Sequence, residues 1–97
     1  MLERDVEKYL RTQIEAIGGR CLKWTCPQVS GVPDRIVLIK GKVYFVETKR
    51  PTDGVWAKLQ IIFAKWLVKN TFDFSLIQSK AEVDYFITRI KQETGIE

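Results

Sequence analysis

The sequence contains no histidine, and this absence limits the chemistry that the chain can perform. Mechanisms that need an imidazole base, an imidazole zinc ligand, or a Ser-His or Cys-His pair are excluded. Cys21 and Cys26 are the only cysteines, too few for a closed zinc site, and nothing in the sequence marks secretion that would favour a disulfide. Any catalysis must therefore use carboxylates, lysine, tyrosine or a bound metal.

Long hydrophobic runs are also missing. No segment approaches the roughly 20 apolar residues that span a bilayer, and the charged N-terminus lacks a signal-peptide core. We therefore expect a soluble, cytoplasmic protein. With 97 residues, 45% of them hydrophobic, we expect a single domain over 1–97. The net charge of +4 permits nucleic acid as a partner without requiring it.

Hydrophobic spacing predicts three helices. Apolar residues at helical intervals predict the first over 2–17, ended by Gly18-Gly19. A second apolar stripe predicts a helix from about 55 to 69, and its members are Val55, Leu59, Ile62, Phe63 and Trp66. Ser79 stands three residues before Glu82, the spacing of a capping box, and predicts a third helix that ends before Gly95.

Four strands are predicted between these helices, over 20–25, 35–39, 43–49 and 72–77. A loop with two prolines leads into Asp34, and Lys40-Gly41-Lys42 forms a tight hairpin between the second and third strands. The order αβββαβα predicts an α/β fold with a mixed four-stranded sheet, because the helix before the last strand permits a parallel crossover. Helices should cover the apolar strand 36–39 on both faces, with Trp24 and Trp66 in the core.

The candidate site is formed by Asp34, Glu47 and Lys49. Side chains two apart on a strand point the same way, so Glu47 and Lys49 are neighbours, and the hairpin returns Asp34 to the same end of the sheet. Two carboxylates with waters and a substrate phosphate suit a hard divalent cation such as Mg²⁺. Lys49 could orient or help deprotonate the attacking water and offset charge on the phosphate. This pattern predicts metal-dependent phosphodiester cleavage.

Simpler interpretations of the same residues remain. Glu47 and Lys49 could form a solvent-facing pair at a strand end, and Asp34 after Pro33 could be a turn residue.

The pattern Gly31-Val32-Pro33-Asp34, then a hairpin, then Glu47-Thr48-Lys49 and a helix with Leu59-Gln60, resembles the VRR-NUC family. These virus-type replication-repair nucleases belong to the PD-(D/E)xK superfamily. The resemblance covers almost the whole chain. It implies a restriction-endonuclease-like αβββαβ core, here followed by a C-terminal helix.

The resemblance also implies roles for residues. Asp34 and Glu47 would bind Mg²⁺ or Mn²⁺, Lys49 would serve the nucleophilic water, and Gln60 would support the site. The family places an acid on its first helix, which Glu3 fits. Helical geometry favours the same residue, because Glu3 lies roughly 50° from the centre of the apolar stripe and Glu7 roughly 90°. Glu7 remains the alternative.

Contacts to DNA are harder to assign. Basic residues near the candidate site in sequence could neutralise phosphates, and they are Arg35, Arg50, Lys58 and Lys23. Trp56 could stack on a base, although packing in the core is the commoner role for tryptophan in such a position.

Stand-alone members of the family resemble archaeal Holliday-junction resolvases. The resemblance therefore implies a DNA endonuclease that cuts four-way or branched DNA as a symmetric homodimer, and a phage, prophage or plasmid origin. If a phage encodes the protein, we expect it in the host cytoplasm. The alternatives are a flap-cutting or nicking nuclease that acts as a monomer, and a catalytically silent nucleic-acid-binding module. Sequence does not separate these, because the choice of junction depends on dimer geometry and cleft shape.

Overall fold

The computed structural model describes residues 2–49 and 57–97, and the elements follow the predicted order. They are α1 (Glu3–Ala16), β1 (Arg20–Lys23), β2 (Arg35–Ile39), β3 (Lys42–Thr48), α2 (Lys58–Lys69), β4 (Asp73–Ile77) and α3 (Lys80–Thr94). Val55 and Trp56, assigned to the start of the second helix, lie outside the described residues. Among the described residues, no helix combines the length and hydrophobicity that a bilayer crossing requires.

The sheet has the order β1-β2-β3-β4 and is mixed, as predicted. β2 pairs antiparallel with both β1 and β3, and β4 pairs in parallel with β3 after the crossover through α2. The turn between β2 and β3 consists of Lys40 and Gly41, both with positive φ (49° and 75°), which matches the twist of a two-residue hairpin. The α/β fold with helices flanking a mixed four-stranded sheet is therefore confirmed.

One face of the sheet carries the main core. Val6, Leu10 and Ile14 recur at helical spacing on α1 and are fully buried. They pack with the side chains that β2 and β3 turn to this face and with the apolar side of α3. The Ser79 hydroxyl caps α3 by accepting a hydrogen bond from the Glu82 N–H at 3.2 Å, which confirms the predicted start of that helix.

The opposite face of the sheet is only partly covered. Here Trp24, Phe45, Phe63, Trp66 and Phe72 form a chain of aromatic contacts with ring centroids 5.5–6.0 Å apart. The prediction that Trp66 is a core residue is wrong, because 53% of its surface is exposed. The expectation that 36–39 shows no face to water is also wrong, since Leu38 on this face is 40% exposed.

The orientation of α2 explains this exposure. The buried residues of the helix are Ala64 and Leu67, and they lie on the same side as Gln60 at helical spacing. The predicted apolar stripe includes Leu59, Ile62 and Trp66. These residues are turned partly away from the sheet, and each is about half exposed. The helix thus directs a polar residue inward at the end of β3.

Candidate active site

The loop before β2 holds Asp34 at the open end of the β2-β3 hairpin. Pro33 is buried, and the Asp34 carbonyl accepts a hydrogen bond of 2.8 Å from the Trp24 N–H, which extends the pairing of β1 with β2. Gly31 packs against the backbone of α2, where an added Cβ would lie 2.4 Å from the Leu59 carbonyl oxygen. With φ at +90°, glycine suits this position on both counts. The loop and α2 are thereby fixed against each other.

Glu47 lies on β3 next to Asp34 and is 1% exposed. Its Oε1 accepts a hydrogen bond from the Asp34 N–H at 3.2 Å. Glu47 is therefore buried against Asp34 and does not face solvent. Burial and the nearby Asp34 carboxylate raise the pKa of Glu47 to about 7, although Lys49 and the Asp34 N–H act in the opposite direction. A buried carboxylate next to a second carboxylate is stabilised in its charged form by added positive charge.

Lys49 supplies part of that charge. Its Nζ lies 3.2 Å from Glu47 Oε2, and only 12% of its side chain is exposed. Glu47 and Lys49 leave the strand on the same side, as the alternation of β3 predicts. The pair is therefore largely screened from solvent, which strengthens its electrostatic effect on anything bound beside it.

Gln60 reaches the same carboxylate from α2. Its Nε2 donates to Glu47 Oε2 at 3.0 Å, while its Oε1 accepts from the Ala57 N–H at 3.2 Å. The second bond holds the amide group in this orientation. The structure thus brings Gln60 to the site for which the sequence proposed it.

Glu3 completes a cluster of three acids on three different elements. One carboxylate oxygen from each of Glu3, Asp34 and Glu47 lies within 4.8 Å of the others. Such a set of oxygen donors fits a hard divalent cation, because three close carboxylates repel one another unless positive charge lies between them.

Glu7, the alternative acid on α1, has other partners. Its Oε2 lies 3.2 Å from Arg35 Nη2, and its Oε1 lies 3.0 Å from the Thr48 hydroxyl oxygen. Glu7 therefore contacts Arg35 and Thr48 and is not part of the cluster of three acids.

The basic residues predicted to contact DNA divide into three groups. Lys23 and Lys58 are exposed at the end of β1 and the start of α2. Arg35 is 14% exposed and is directed inward, to Glu7 and to the Cys21 carbonyl at 3.4 Å. Arg50 lies outside the described residues.

Sequence reasoning did not identify Thr48 as part of the site. Alternation along β3 places it on the face opposite Glu47, yet its hydroxyl and N–H both donate to Asp34 Oδ2, at 2.9 and 3.1 Å. Thr48 is fully buried. A signal was present in the sequence, because a hydroxyl at an inward position of a strand needs a hydrogen-bond partner.

Comparisons with known proteins relate the chain to nucleases. No family model matches the chain. A solved structure described as a VRR_NUC domain superposes with a TM-score of 0.80 at 30% sequence identity, over 89% of this chain and 94% of the other. The protein p44 of Acyrthosiphon pisum secondary endosymbiont phage 1, named as a candidate nuclease, is 44% identical over 50 residues. That match covers 50% of this chain and about half of the relative, 54% of its length.

The fold is that of a VRR_NUC domain, and the chain has a phage relative that is named as a candidate nuclease. The chain belongs to the VRR-NUC family.

Proposed function

We propose that the protein is a metal-dependent DNA endonuclease that hydrolyses phosphodiester bonds with water. The observation that carries this proposal is the buried Glu47, which shares its surroundings with Asp34 and Glu3 and has a pKa raised to about 7. Buried acids with perturbed pKa values cluster at functional sites. The alternative interpretations as a solvent-facing pair and a turn residue do not account for this burial.

Mg²⁺ or Mn²⁺ is the cofactor that we propose for the cluster of Glu3, Asp34 and Glu47. Both ions prefer carboxylate and water oxygens, which are the donors present here. When bound, the ion would act as a Lewis acid toward the phosphate and would lower the pKa of a coordinated water.

The other residues would position the reacting groups and offset negative charge. Lys49 would hold its proton at Nζ, orient the attacking water and offset the negative charge that develops on the phosphate oxygens. Gln60 would keep Glu47 in one rotamer through the bond to Oε2, and so keep its other oxygen turned to the Asp34 N–H. Positioning of this kind matters because small displacements of catalytic groups reduce rates strongly.

DNA is the proposed substrate, and the net charge of +4 agrees with a polyanionic partner. Lys23 and Lys58 are exposed at the elements that flank the site and are the best placed of the predicted DNA contacts within the described residues. Arg35 is the least suited of the set, since its guanidinium is paired inside the protein.

A symmetric homodimer that resolves four-way junctions is the finer form of the proposal. The apolar face of α2 and the adjacent Val29 in the loop before β2 support it, since Leu59, Ile62, Trp66 and Val29 are each 43–53% exposed. With Ser30 and Phe63 they line a hollow of about 420 Å³ beside the loop that carries Asp34. An exposed apolar surface of this kind is typical of a protein interface, and a two-fold partner there would place two sites symmetrically.

One assay separates the proposed activity from its alternatives. Labelled four-way junction, flap, single-stranded and linear duplex DNA are incubated with the protein, with Mg²⁺ or Mn²⁺ and with EDTA. Paired symmetric cuts confined to the junction support the resolvase. Cuts only at flaps, or single nicks, support the monomeric nuclease, and binding without cleavage supports the silent module.

The dimer is tested by size-exclusion chromatography with light scattering. The double substitution Ile62→Asp and Trp66→Asp adds charge to the exposed face and should convert a dimer into a monomer. Val68→Asp, at an exposed apolar position elsewhere on α2, is the matched control and should not. A wild-type protein that is monomeric at high micromolar concentration would contradict the dimer.

A further inference from the structure

The Asp34 carboxylate is hydrogen-bonded to a polar network that none of the proposed catalytic roles uses. Thr48 donates twice to Asp34 Oδ2, through its N–H at 3.1 Å and its hydroxyl at 2.9 Å. The same hydroxyl lies 3.0 Å from Glu7 Oε1, and Glu7 Oε2 is paired with Arg35 at 3.2 Å. The network joins α1, β2 and β3 at the base of the site.

The hydroxyl of Thr48 has one proton and two carboxylates within reach. It can donate to only one of them at a time. Arg35 neutralises Glu7, so Glu7 attracts the proton less strongly than Asp34 does. The ion pair therefore favours donation to Asp34.

This arrangement fixes one oxygen of a candidate metal ligand. Oδ2 of Asp34 accepts both bonds from Thr48, whereas no described residue donates to Oδ1. A carboxylate held by two donors on one oxygen has lost most of its rotational freedom before any ligand arrives. Pre-ordering of ligands by hydrogen bonds from the next layer of residues commonly changes metal affinity by roughly 10- to 100-fold.

We infer that Thr48 is a positioning residue that orders Asp34 for divalent metal, and that the Glu7–Arg35 ion pair directs its hydroxyl. The inference rests on the proposed metal site of Glu3, Asp34 and Glu47. It assigns to the central residue of Glu47-Thr48-Lys49 a role different from those of its neighbours. Thr48 does not touch the substrate in this account.

The test measures metal binding without DNA, by the electron paramagnetic resonance signal of free Mn²⁺ in a titration of the protein. Thr48→Val keeps the shape of the buried side chain and removes the hydroxyl, and should raise the dissociation constant for Mn²⁺ about 10-fold or more. Thr48→Ser restores the hydroxyl and should return the constant to within about 3-fold of wild type. Glu7→Gln removes the negative charge that competes for the hydroxyl proton, so donation to Asp34 should persist and the constant should stay within about 3-fold of wild type.

Thr94→Val is the matched control, because Thr94 donates to a carbonyl on α3 away from the site and is also part-buried. Its Mn²⁺ constant should equal that of wild type. A Thr48→Val protein that melts at a lower temperature yet binds Mn²⁺ as tightly as wild type has lost only stability, and overturns the inference. Failure of the wild type to bind Mn²⁺ overturns the metal site itself, so the two failures are distinguishable.

Discussion

The side-chain amide of Gln60 donates to Glu47 Oε2 across 3.0 Å and so connects α2 to the buried carboxylate of β3. The amide is itself oriented by the Ala57 N–H. Only a helix that turns a polar residue toward the sheet can make this connection. The packing of α2 and the geometry of the candidate site therefore depend on each other.

Substitution of Gln60 should reduce catalysis more than stability. Gln60→Ala leaves Glu47 Oε2 with Lys49 as its remaining partner and frees its rotamer, so we expect cleavage at saturating metal to fall about 10-fold or more. Gln92→Ala, at an exposed position on α3, is the control and should retain wild-type rates. Single-turnover cleavage of labelled DNA measures the effect. Equal rates for both variants would remove Gln60 from the site.

Gly31 should be essential for a reason that Gly18 does not share. Both have φ at +90°, so alanine is strained at either position, but an added Cβ meets nothing within 4 Å at Gly18 and the backbone of α2 at Gly31. We expect Gly18→Ala to lower the free energy of unfolding by about 1–2 kcal/mol. Gly31→Ala should cost more and should also lower cleavage by displacing Gln60. Urea unfolding and the cleavage assay measure both effects, and indistinguishable variants would contradict the contact.

The raised pKa of Glu47 predicts how stability depends on pH in the metal-free protein. The folded state keeps the proton up to about pH 7, whereas an unfolded glutamate loses it near pH 4.3. The contribution of Glu47 is therefore fully present below about pH 4.3 and is lost as the pH rises through 7. Its size is on the order of 3 kcal/mol.

Urea unfolding in EDTA between pH 5 and pH 8 measures this dependence. Glu47→Gln carries no titrating group and should flatten the curve over that interval. Ions that bind the cluster should restore stability most strongly at the high end of the range, where Glu47 is charged. A Glu47→Gln protein with the wild-type pH dependence would place the titration elsewhere.

The basic residues should separate into two classes. Lys23→Ala and Lys58→Ala should weaken DNA binding several-fold and reduce the slope of log affinity against log salt by about 1 each, with little loss of stability. Arg35→Ala should instead destabilise the protein by about 3–5 kcal/mol, because it leaves Glu7 without its cation in a part-buried position. Fluorescence anisotropy at several salt concentrations and urea unfolding distinguish the classes. A pure DNA-binding defect in Arg35→Ala would contradict its inward orientation.

Local rules in the sequence were sufficient for most of the fold. Helical spacing of apolar residues, glycine turns, the Ser79 cap and period-two alternation predicted the order of the described elements, and the hairpin predicted the convergence of Asp34 with Glu47. They succeed because hairpin geometry and strand pleat are local properties. The mixed character of the sheet followed from the crossover through α2.

The rotation of α2 was not predictable in the same way. Its hydrophobic pattern favours Leu59, Ile62 and Trp66 as the inner face, yet they are half exposed while Gln60, Ala64 and Leu67 face the sheet. The hydrogen bond to Glu47 and the contact at Gly31 are long-range constraints that override the pattern. The same holds for Arg35, whose partner Glu7 lies 28 residues earlier in the chain.

The central claim is that the cluster of Glu3, Asp34 and Glu47 holds the ion that cleavage requires. It is tested most directly by single-turnover cleavage of labelled branched DNA over a titration of Mn²⁺, for wild type and for Asp34→Asn, which keeps the shape of the side chain. Wild-type cleavage should saturate with Mn²⁺, stop in EDTA and resume when Mn²⁺ is restored, whereas Asp34→Asn should bind the DNA and leave it intact. Cleavage that persists in EDTA, or that Asp34→Asn supports at the wild-type rate, would contradict the account.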